Sequence, residues 1–328
     1  MAEPSDDVLL PARAIAPPAS LSEPARNALR TGARRERRVP PPVADLEGWR
    51  RHVAEVDGSA DGWVDTVMAS PRLSIAVERI AGVDVYVVQR AGDAPSPAHV
   101  NVHIHGGAWT YFSGRRTALP AAVQALHHGG IVHAIDYRTS TQAPFPAALD
   151  DCFAVYAELV LRFGPERMLL TGESAGGNLA AALLLRARDE GLPAPCALFL
   201  NTPALDLTHA GDSVQTNRGL DVVLGDAARA EVELYCGGAD PRDPYLSPLN
   251  GDPAGAFPPT YLRTGTRDLL LSDTVRMHAL LRRHGIEADL YVGEAMPHGG
   301  FAILGVDTPE DAQAREDLDR WLDVHWRR

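Results

Sequence analysis

The stretch that most constrains this chain runs from Met168 to Arg188. A short apolar segment, Met168-Leu169-Leu170, leads into Thr171-Gly172-Glu173-Ser174-Ala175-Gly176-Gly177, and an alanine- and leucine-rich helical pattern follows. This is Gly-x-Ser-x-Gly set between a strand and a helix, the pattern of a nucleophile elbow. A serine on so tight a turn has strained backbone angles, so the residues two away on either side must lack bulk. The turn exposes the hydroxyl at its tip, and the N-terminal amides of the following helix point toward it. In a chain with 29 glycines the pentapeptide by itself is a modest signal. The strand before it and the helix after it distinguish it from an ordinary glycine-rich loop.

The elements around the elbow alternate. Leu73–Ile80 and Val83–Gln89 read as a hairpin turning at Ala81-Gly82. Strands are then expected at His99–His105, Ile131–Asp136, Met168–Thr171, Cys196–Asn201, Thr260–Thr264 and Ala288–Val292. Between and after them, helices are expected at Thr117–His128, Ala147–Phe163, Gly176–Arg188, Asp273–His284 and Pro309–His325, with Ser272 as an N-cap and Gly285 just past a C-terminus. Such alternation predicts an α/β fold with a mostly parallel central sheet, an N-terminal antiparallel hairpin and helices on both faces. Two regions stand apart. Residues 1–70 are rich in Pro, Ala and Arg, with helical spacing around Pro24–Arg38 and Val43–Val56 and no convincing strand. Residues 203–252 form a long excursion punctuated by Gly, Asp and Pro, with one helical pattern near Gly225–Cys236. Residues 71–328 read as the main domain, and no internal repeat interrupts it.

Composition narrows the function classes. The formal net charge of −12 argues against a general affinity for nucleic acid or an anionic membrane. The local basic run Arg34-Arg35-Glu36-Arg37-Arg38 is read as the polar face of an N-terminal helix. Three cysteines, Cys152, Cys196 and Cys236, cannot build a disulfide framework and read as buried thiols. The N-terminus lacks a secretory pattern, and no apolar run approaches the roughly 18 residues that span a bilayer, so a cytoplasmic location is expected.

A serine hydroxyl needs a base, an acid that orients the base, and donors for an oxyanion. In parallel sheets such groups belong just beyond the carboxyl ends of strands. His298 meets this for the base, in a Gly/Pro-rich loop after the last strand; His278, His284, His127 and His128 read as helix residues. Asp268, directly after the penultimate strand, ranks first for the acid and Asp206 second. Asp273 is set aside as a first-turn carboxylate favoured by the helix dipole. The chain order serine, acid, base then fits an α/β-hydrolase. Oxyanion donors are expected from Ala175 and from Gly106-Gly107, whose lack of Cβ lets amides turn inward. His103 and His105 share a strand face, as a metal pair would, but no carboxylate or cysteine stands at ligand spacing, so no metal is assigned.

At this point the chain resembles the hormone-sensitive-lipase-like family of α/β-hydrolase esterases. His105-Gly106-Gly107-Ala108-Trp109 is similar to that family's His-Gly-Gly-Gly-Trp loop, and Gly172-Glu173-Ser174-Ala175-Gly176-Gly177-Asn178 to its nucleophile segment. Asp136-Tyr137-Arg138 with Pro144-Phe145-Pro146-Ala147-Ala148 fits the pattern between them. The overall look is nearest to bacterial monoterpene ε-lactone hydrolases. The resemblance covers Arg72 to the C-terminus and implies Ser174 as nucleophile, His298 as base, Asp268 as acid, and Gly106, Gly107 and Ala175 as amide donors. It implies a small-molecule ester or lactone as substrate, no cofactor, and a helical cap drawn from residues 1–70 and 203–252. Trp109, Phe112 and Leu220, with Trp49 and Trp63, are candidate pocket walls, and for each of them simple core packing is at least an equal alternative. The sequence itself leaves the oligomeric state open; pairing through a sheet edge, common in the family, is what the resemblance implies, giving a homodimer. The departures are Ala108 for the third glycine, Thr139-Ser140-Thr141-Gln142 for a usual Leu-Ala-Pro-Glu, and Leu269 and Ser272 for a usual Pro and Asp. A binding protein or a peptidase on the same scaffold are the competing readings. The presence of His298 argues against the first, and the lack of a large gating domain against the second.

Overall fold

Alternating strands and helices fold into one eight-stranded sheet in the computed structural model, which describes residues 14–34, 38–93, 99–225 and 228–327. The strands are β1 (Leu73–Ile80), β2 (Val83–Arg90), β3 (Val100–Ile104), β4 (Ile131–Ile135), β5 (Met168–Glu173), β6 (Ala197–Asn201), β7 (Thr260–Gly265) and β8 (Ala288–Gly293). Their order is β1-β2-β4-β3-β5-β6-β7-β8. The hairpin β1–β2 lies at one edge, and β2 also runs antiparallel to β4; every other pair is parallel. β3, β5 and β6 occupy the middle, and β3 and β6 are buried at every position, as befits strands covered on both faces.

The helices are α1 (Glu23–Gly32), α2 (Leu46–Gly58), α3 (Asp61–Met68), α4 (Ala118–His128), α5 (Ala147–Phe163), α6 (Ala175–Asp189), α7 (Ser213–Thr216), α8 (Arg229–Cys236), α9 (Leu271–Arg283) and α10 (Pro309–His325). The two-residue period of β5 assigns the two faces. Met168 and Leu170 pack with α5, α6 and α9, while Leu169 packs with Trp321 and Leu322 of α10. α4 covers β2 and β4 on the α10 side. α6 is buried over most of its surface because small and apolar residues surround it on all sides, which lets it lie close against the strands.

Most expected elements lie within a residue or two of their expected ends, and the corrections have identifiable causes. α9 begins at Leu271, so Ser272 is inside the helix rather than its N-cap. The Ser272 hydroxyl is instead spent on the remote amide of Ser213, and the Ser272 amide donates to the Ser213 hydroxyl, each at 2.9 Å. Gly285 does follow the C-terminus with φ +70°. α3 was not expected, and α8 starts at Arg229, later than its pattern suggested. α1 stops at Gly32, so Arg34 lies beyond it; residues 35–37 of the basic run lie outside the described residues. Cys152 and Cys236 are buried, but Cys196 is only half-buried. No described helix is long and apolar enough to cross a membrane.

The N-terminal helices are tied into the rest. Ser22 caps α1, accepting from the Ala25 amide, while its own amide and hydroxyl donate to Glu310 of α10 at 2.6 and 2.8 Å. Leu21, Ala25, Ala28 and Leu29 share an apolar cluster with Val222, Met296 and Phe301. Trp49 of α2 packs with Tyr111 and with Leu234 of α8.

Candidate active site

β5 ends at Glu173, α6 starts at Ala175, and Ser174 between them takes φ 54°, ψ −118°. That conformation costs a side-chain-bearing residue about 1–3 kcal/mol and persists only where the surroundings enforce it. Here three backbone hydrogen bonds do so: Ser174 N–H to Asn201 O, and Asn178 and Ala204 N–H to Ser174 O. The flanking glycines permit the close approach. A Cβ on Gly172 would stand 2.3 Å from Gly176 O, and one on Gly176 only 2.1 Å from Ile104 O. The elbow therefore exists because helix α6 is seated against β3 and β5 with no side chain between.

Ser174 is half-exposed, and two buried residues reach it from separate loops. His298 Nε2 lies 2.9 Å from Ser174 Oγ, and His298 Nδ1 lies 3.0 Å from Asp268 Oδ1. Asp268 follows β7, and its carboxylate accepts from the Thr264 hydroxyl at 2.7 Å and the Leu270 amide at 2.9 Å. These bonds fix both carboxylate oxygens, so Nδ1 of His298 donates and Nε2 is left to accept from the serine hydroxyl. Burial disfavours the charged imidazole, but the charge and hydrogen bond of Asp268, then the charges of Asp221 and Glu173, outweigh it and raise the His298 pKa.

The loop after β3 flanks the serine. A Cβ on Gly106 would meet Ser174 Cβ at 3.3 Å, so this backbone runs directly beside the hydroxyl-bearing residue. The His105 ring stacks on Tyr137 with centroids 4.2 Å apart, and its Nδ1–H donates to Gly106 O at 2.7 Å. Because a peptide unit is planar and trans, pinning that carbonyl turns the Gly107 N–H the opposite way. Burial pushes His105 down to about 4, which keeps the ring neutral. Gly107 takes φ +104°, and its carbonyl accepts from the Thr110 and Tyr111 amides, both at 2.9 Å. Ala108 adopts φ +48° in the position of the third glycine, and Trp109 (+55°) and Phe112 (+71°) are likewise left-handed. The Ala175 amide, at the first position of α6, has no intrahelical acceptor.

Residues 101–302, more than half of the chain, match the family described as the alpha/beta hydrolase fold. The chain belongs to the α/β-hydrolase family. It is similar to an esterase of Acinetobacter venetianus, 31% identical over 256 residues that cover 76% of this chain and 82% of the relative. Among solved structures it is similar to esterase E25, with a TM-score of 0.86 and 35% identity over 98% of this chain and 99% of that one. An esterase of the bacterial hormone-sensitive lipase family superposes with a TM-score of 0.76 at 27% identity, over 92% and 96% of the two chains.

In this α/β-hydrolase the other candidates are bonded to groups other than Ser174 and His298. Asp206 is paired with Arg276 at 2.7 Å, and Asp273 accepts from the Leu205 and Asp206 amides at 2.8 and 3.0 Å. His103 donates through Nδ1 to the Thr171 hydroxyl at 2.8 Å, which in turn donates to Asn101. Burial, then the neighbouring His105, pushes His103 down to about 3. Of the candidate pocket walls, Trp109 is buried and stacks flat on Tyr235 of α8 at 4.6 Å, so its ring joins the loop to that helix. Its carbonyl is held by the amide and hydroxyl of Ser140, which gives the divergent 139–142 segment a role in this loop. Trp49 is fully buried, whereas Trp63 is exposed and lies against Gly305. Phe112 sits against Gly107, and Leu220 is half-buried beside Asp221.

Asp221 was not singled out from the sequence, yet it is buried and its Oδ1 lies 3.5 Å from the His298 amide. Tyr111, whose hydroxyl donates to Glu231 of α8 at 2.8 Å, was also missed. For Asp221 a local signal existed: Ser213, Asn217 and Asp221 recur every four residues in the excursion. For Tyr111 none did.

Proposed function

We propose that this α/β-hydrolase cleaves carboxylic esters or lactones of small to medium apolar substrates through an acyl-enzyme. The observation that carries the proposal is the continuous chain Asp268 Oδ1, His298 Nδ1, His298 Nε2, Ser174 Oγ, with links of 3.0 and 2.9 Å. Ser174 Oγ attacks the carbonyl carbon while His298 Nε2 takes its proton. Asp268 holds the Nδ1–H tautomer and stabilises the imidazolium. The Gly106, Gly107 and Ala175 amides receive the developing oxyanion. The tetrahedral adduct collapses, the C–O bond to the alkoxide breaks, and Nε2–H protonates the departing oxygen. Water then attacks the acyl-enzyme with His298 as base, releasing the acid and restoring the serine. With a lactone the same steps apply, except that the released alcohol stays tethered to the acyl group. The general similarity to bacterial monoterpene ε-lactone hydrolases makes that substrate class part of the proposal.

Residues 1–70 and 203–252 are proposed to form the cap over Ser174. Supporting this, Trp49 of α2 packs with Leu234 of α8 and with Tyr111 of the loop beside the serine, and α1 packs on Met296, two residues from His298. Pairing of two chains through a sheet edge and a reducing, cytoplasmic setting complete the reading, the latter supported by three free cysteines. Ser174→Ala should abolish cleavage of a short-chain aryl ester while leaving the fold intact; undiminished turnover would overturn the assignment. Rates across esters of increasing acyl length, beside a lactone panel, define the substrate.

A further inference from the structure

The turn carrying Asp268 is gripped from outside by three polar side chains spaced four residues apart. Ser213 Oγ donates to Leu269 O at 2.7 Å. Asn217 Nδ2 donates to Thr266 O at 3.1 Å and to Asp268 O at 2.8 Å. Asp221 Oδ2 accepts from the Leu269 amide at 2.9 Å, while its Oδ1 accepts from the Val223 and Leu224 amides at 2.9 and 3.2 Å and faces the His298 amide at 3.5 Å. One carboxylate thus touches the peptide after Asp268 and the peptide of His298. Two further bonds join the same loops directly, Ala295 N–H to Thr266 Oγ1 and Arg267 N–H to Met296 O.

A carboxylate is a costly way to make these contacts. Asp221 is fully buried, and burial, then the charge of Asp268, raises its pKa. Asn217 grips the same turn without a charge. The charge has a recipient, however, because Asp221 and His298 attract one another. The groups facing the His298 ring are Ser174 and Glu173 from the elbow, Asp268 from the turn after β7, and Asp221 from the excursion. Arg267, the cation in that turn, spends its guanidinium on Ala16 O.

We propose that Asp221 is a positioning residue for the reaction: it locks the Asp268 turn to the His298 loop and supplies a second negative charge that stabilises the imidazolium. The inference rests on the reading of Ser174, His298 and Asp268 as a catalytic triad. Its test compares Asp221→Asn and Asn217→Ala with the parent, following kcat and KM for a short-chain aryl ester across pH 5 to 9. Asp221→Asn is expected to lower kcat about tenfold or more with KM nearly unchanged, and to move the acid limb of kcat/KM down by about half a unit or more. Asn217→Ala loosens the turn without altering charge, so it should lower kcat and leave the acid limb in place. An Asp221→Asn profile that superimposes on the parent's overturns the proposal, whatever happens to kcat. If Asp221→Asn does not fold, Asp221→Glu decides: a lower kcat on an unmoved acid limb supports the proposal, and a parental kcat overturns it. Ser174→Ala run alongside separates the two claims. Its inactivity together with an unmoved Asp221→Asn profile refutes this inference alone, whereas its continued turnover removes the triad reading itself.

Discussion

Gly107→Ala is the substitution that most directly tests the oxyanion assignment. A Cβ on Gly107 would stand 2.6 Å from Tyr111 O and 2.8 Å from Phe112 Cδ2, at φ +104°. The first of these neighbours is backbone and cannot swing away. It belongs to the same turn that closes on Gly107 O through the Thr110 and Tyr111 amides, so relief requires the peptide planes of the loop to rotate. The strain amounts to about 1–3 kcal/mol. At about 2–4 °C per kcal/mol for chains of moderate size, the melting temperature should drop by several degrees without loss of the fold. The larger consequence is catalytic. On the proposed mechanism, rotating the Gly106–Gly107 peptide takes one N–H away from the oxyanion, and losing one such donor costs about 3–4 kcal/mol of barrier, a fall of roughly 100- to 1000-fold in kcat. KM should change little, because the donor acts on charge that develops after binding. The assay is steady-state hydrolysis of a short-chain aryl ester beside a thermal melt. A folded Gly107→Ala protein with kcat within about threefold of the parent would refute the argument, since the expected loss is at least tenfold larger.

Two pH dependences follow from the buried ionisable groups. On the proposed mechanism His298 is the base and must be neutral to accept the serine proton; burial lowers its pKa, but Asp268, Asp221 and Glu173 outweigh burial and raise it. The acid limb of kcat/KM should therefore have its midpoint above the ordinary histidine value of about 6.5, and a midpoint below 6 contradicts the electrostatic account. Burial raises Asp273 to about 7, against the two amide hydrogen bonds that lower it. Asp273 and His298 both hold a proton more tightly when folded than when unfolded. The stabilisation this brings is complete only at low pH, and it is lost for Asp273 between its unfolded value of about 4 and 7, and for His298 as pH rises through its raised value. Melting temperature should thus decline between pH 5 and pH 8, and Asp273→Asn should flatten most of that decline; an equally steep profile in the variant would show that Asp273 is already charged in the fold.

Legibility of the chain depended on how local each determinant is. β3, β5, α6 and α10 were readable because their apolar periodicity, glycines and caps act within a few residues; Thr308, Pro309 and Asp311 start α10 as their types suggest. That Ser174, Asp268 and His298 would meet was readable because they stand in the turns and loops that follow strands of a parallel sheet, where side chains of different segments converge. Ser272 was misread because its hydroxyl chooses a partner in a distant segment over its own helix end. Trp109 stays open between pocket wall and core in the sequence because an aromatic beside a glycine loop carries no mark of its burial; the flat stack on Tyr235 is made by a helix far along the chain.

The order of residues alone thus determined the sheet, its helices and the three strand-end side chains, since strand and helix periods and turn chemistry are properties of short segments. Tertiary structure alone decided that Asp221 meets both loops behind His298, that Ala108 is tolerated at a left-handed position, and that α1 rests on the apolar cluster around Met296. Burial and hydrogen-bond satisfaction are set by whatever the rest of the chain places alongside, and segments far apart in sequence leave no periodic trace of one another.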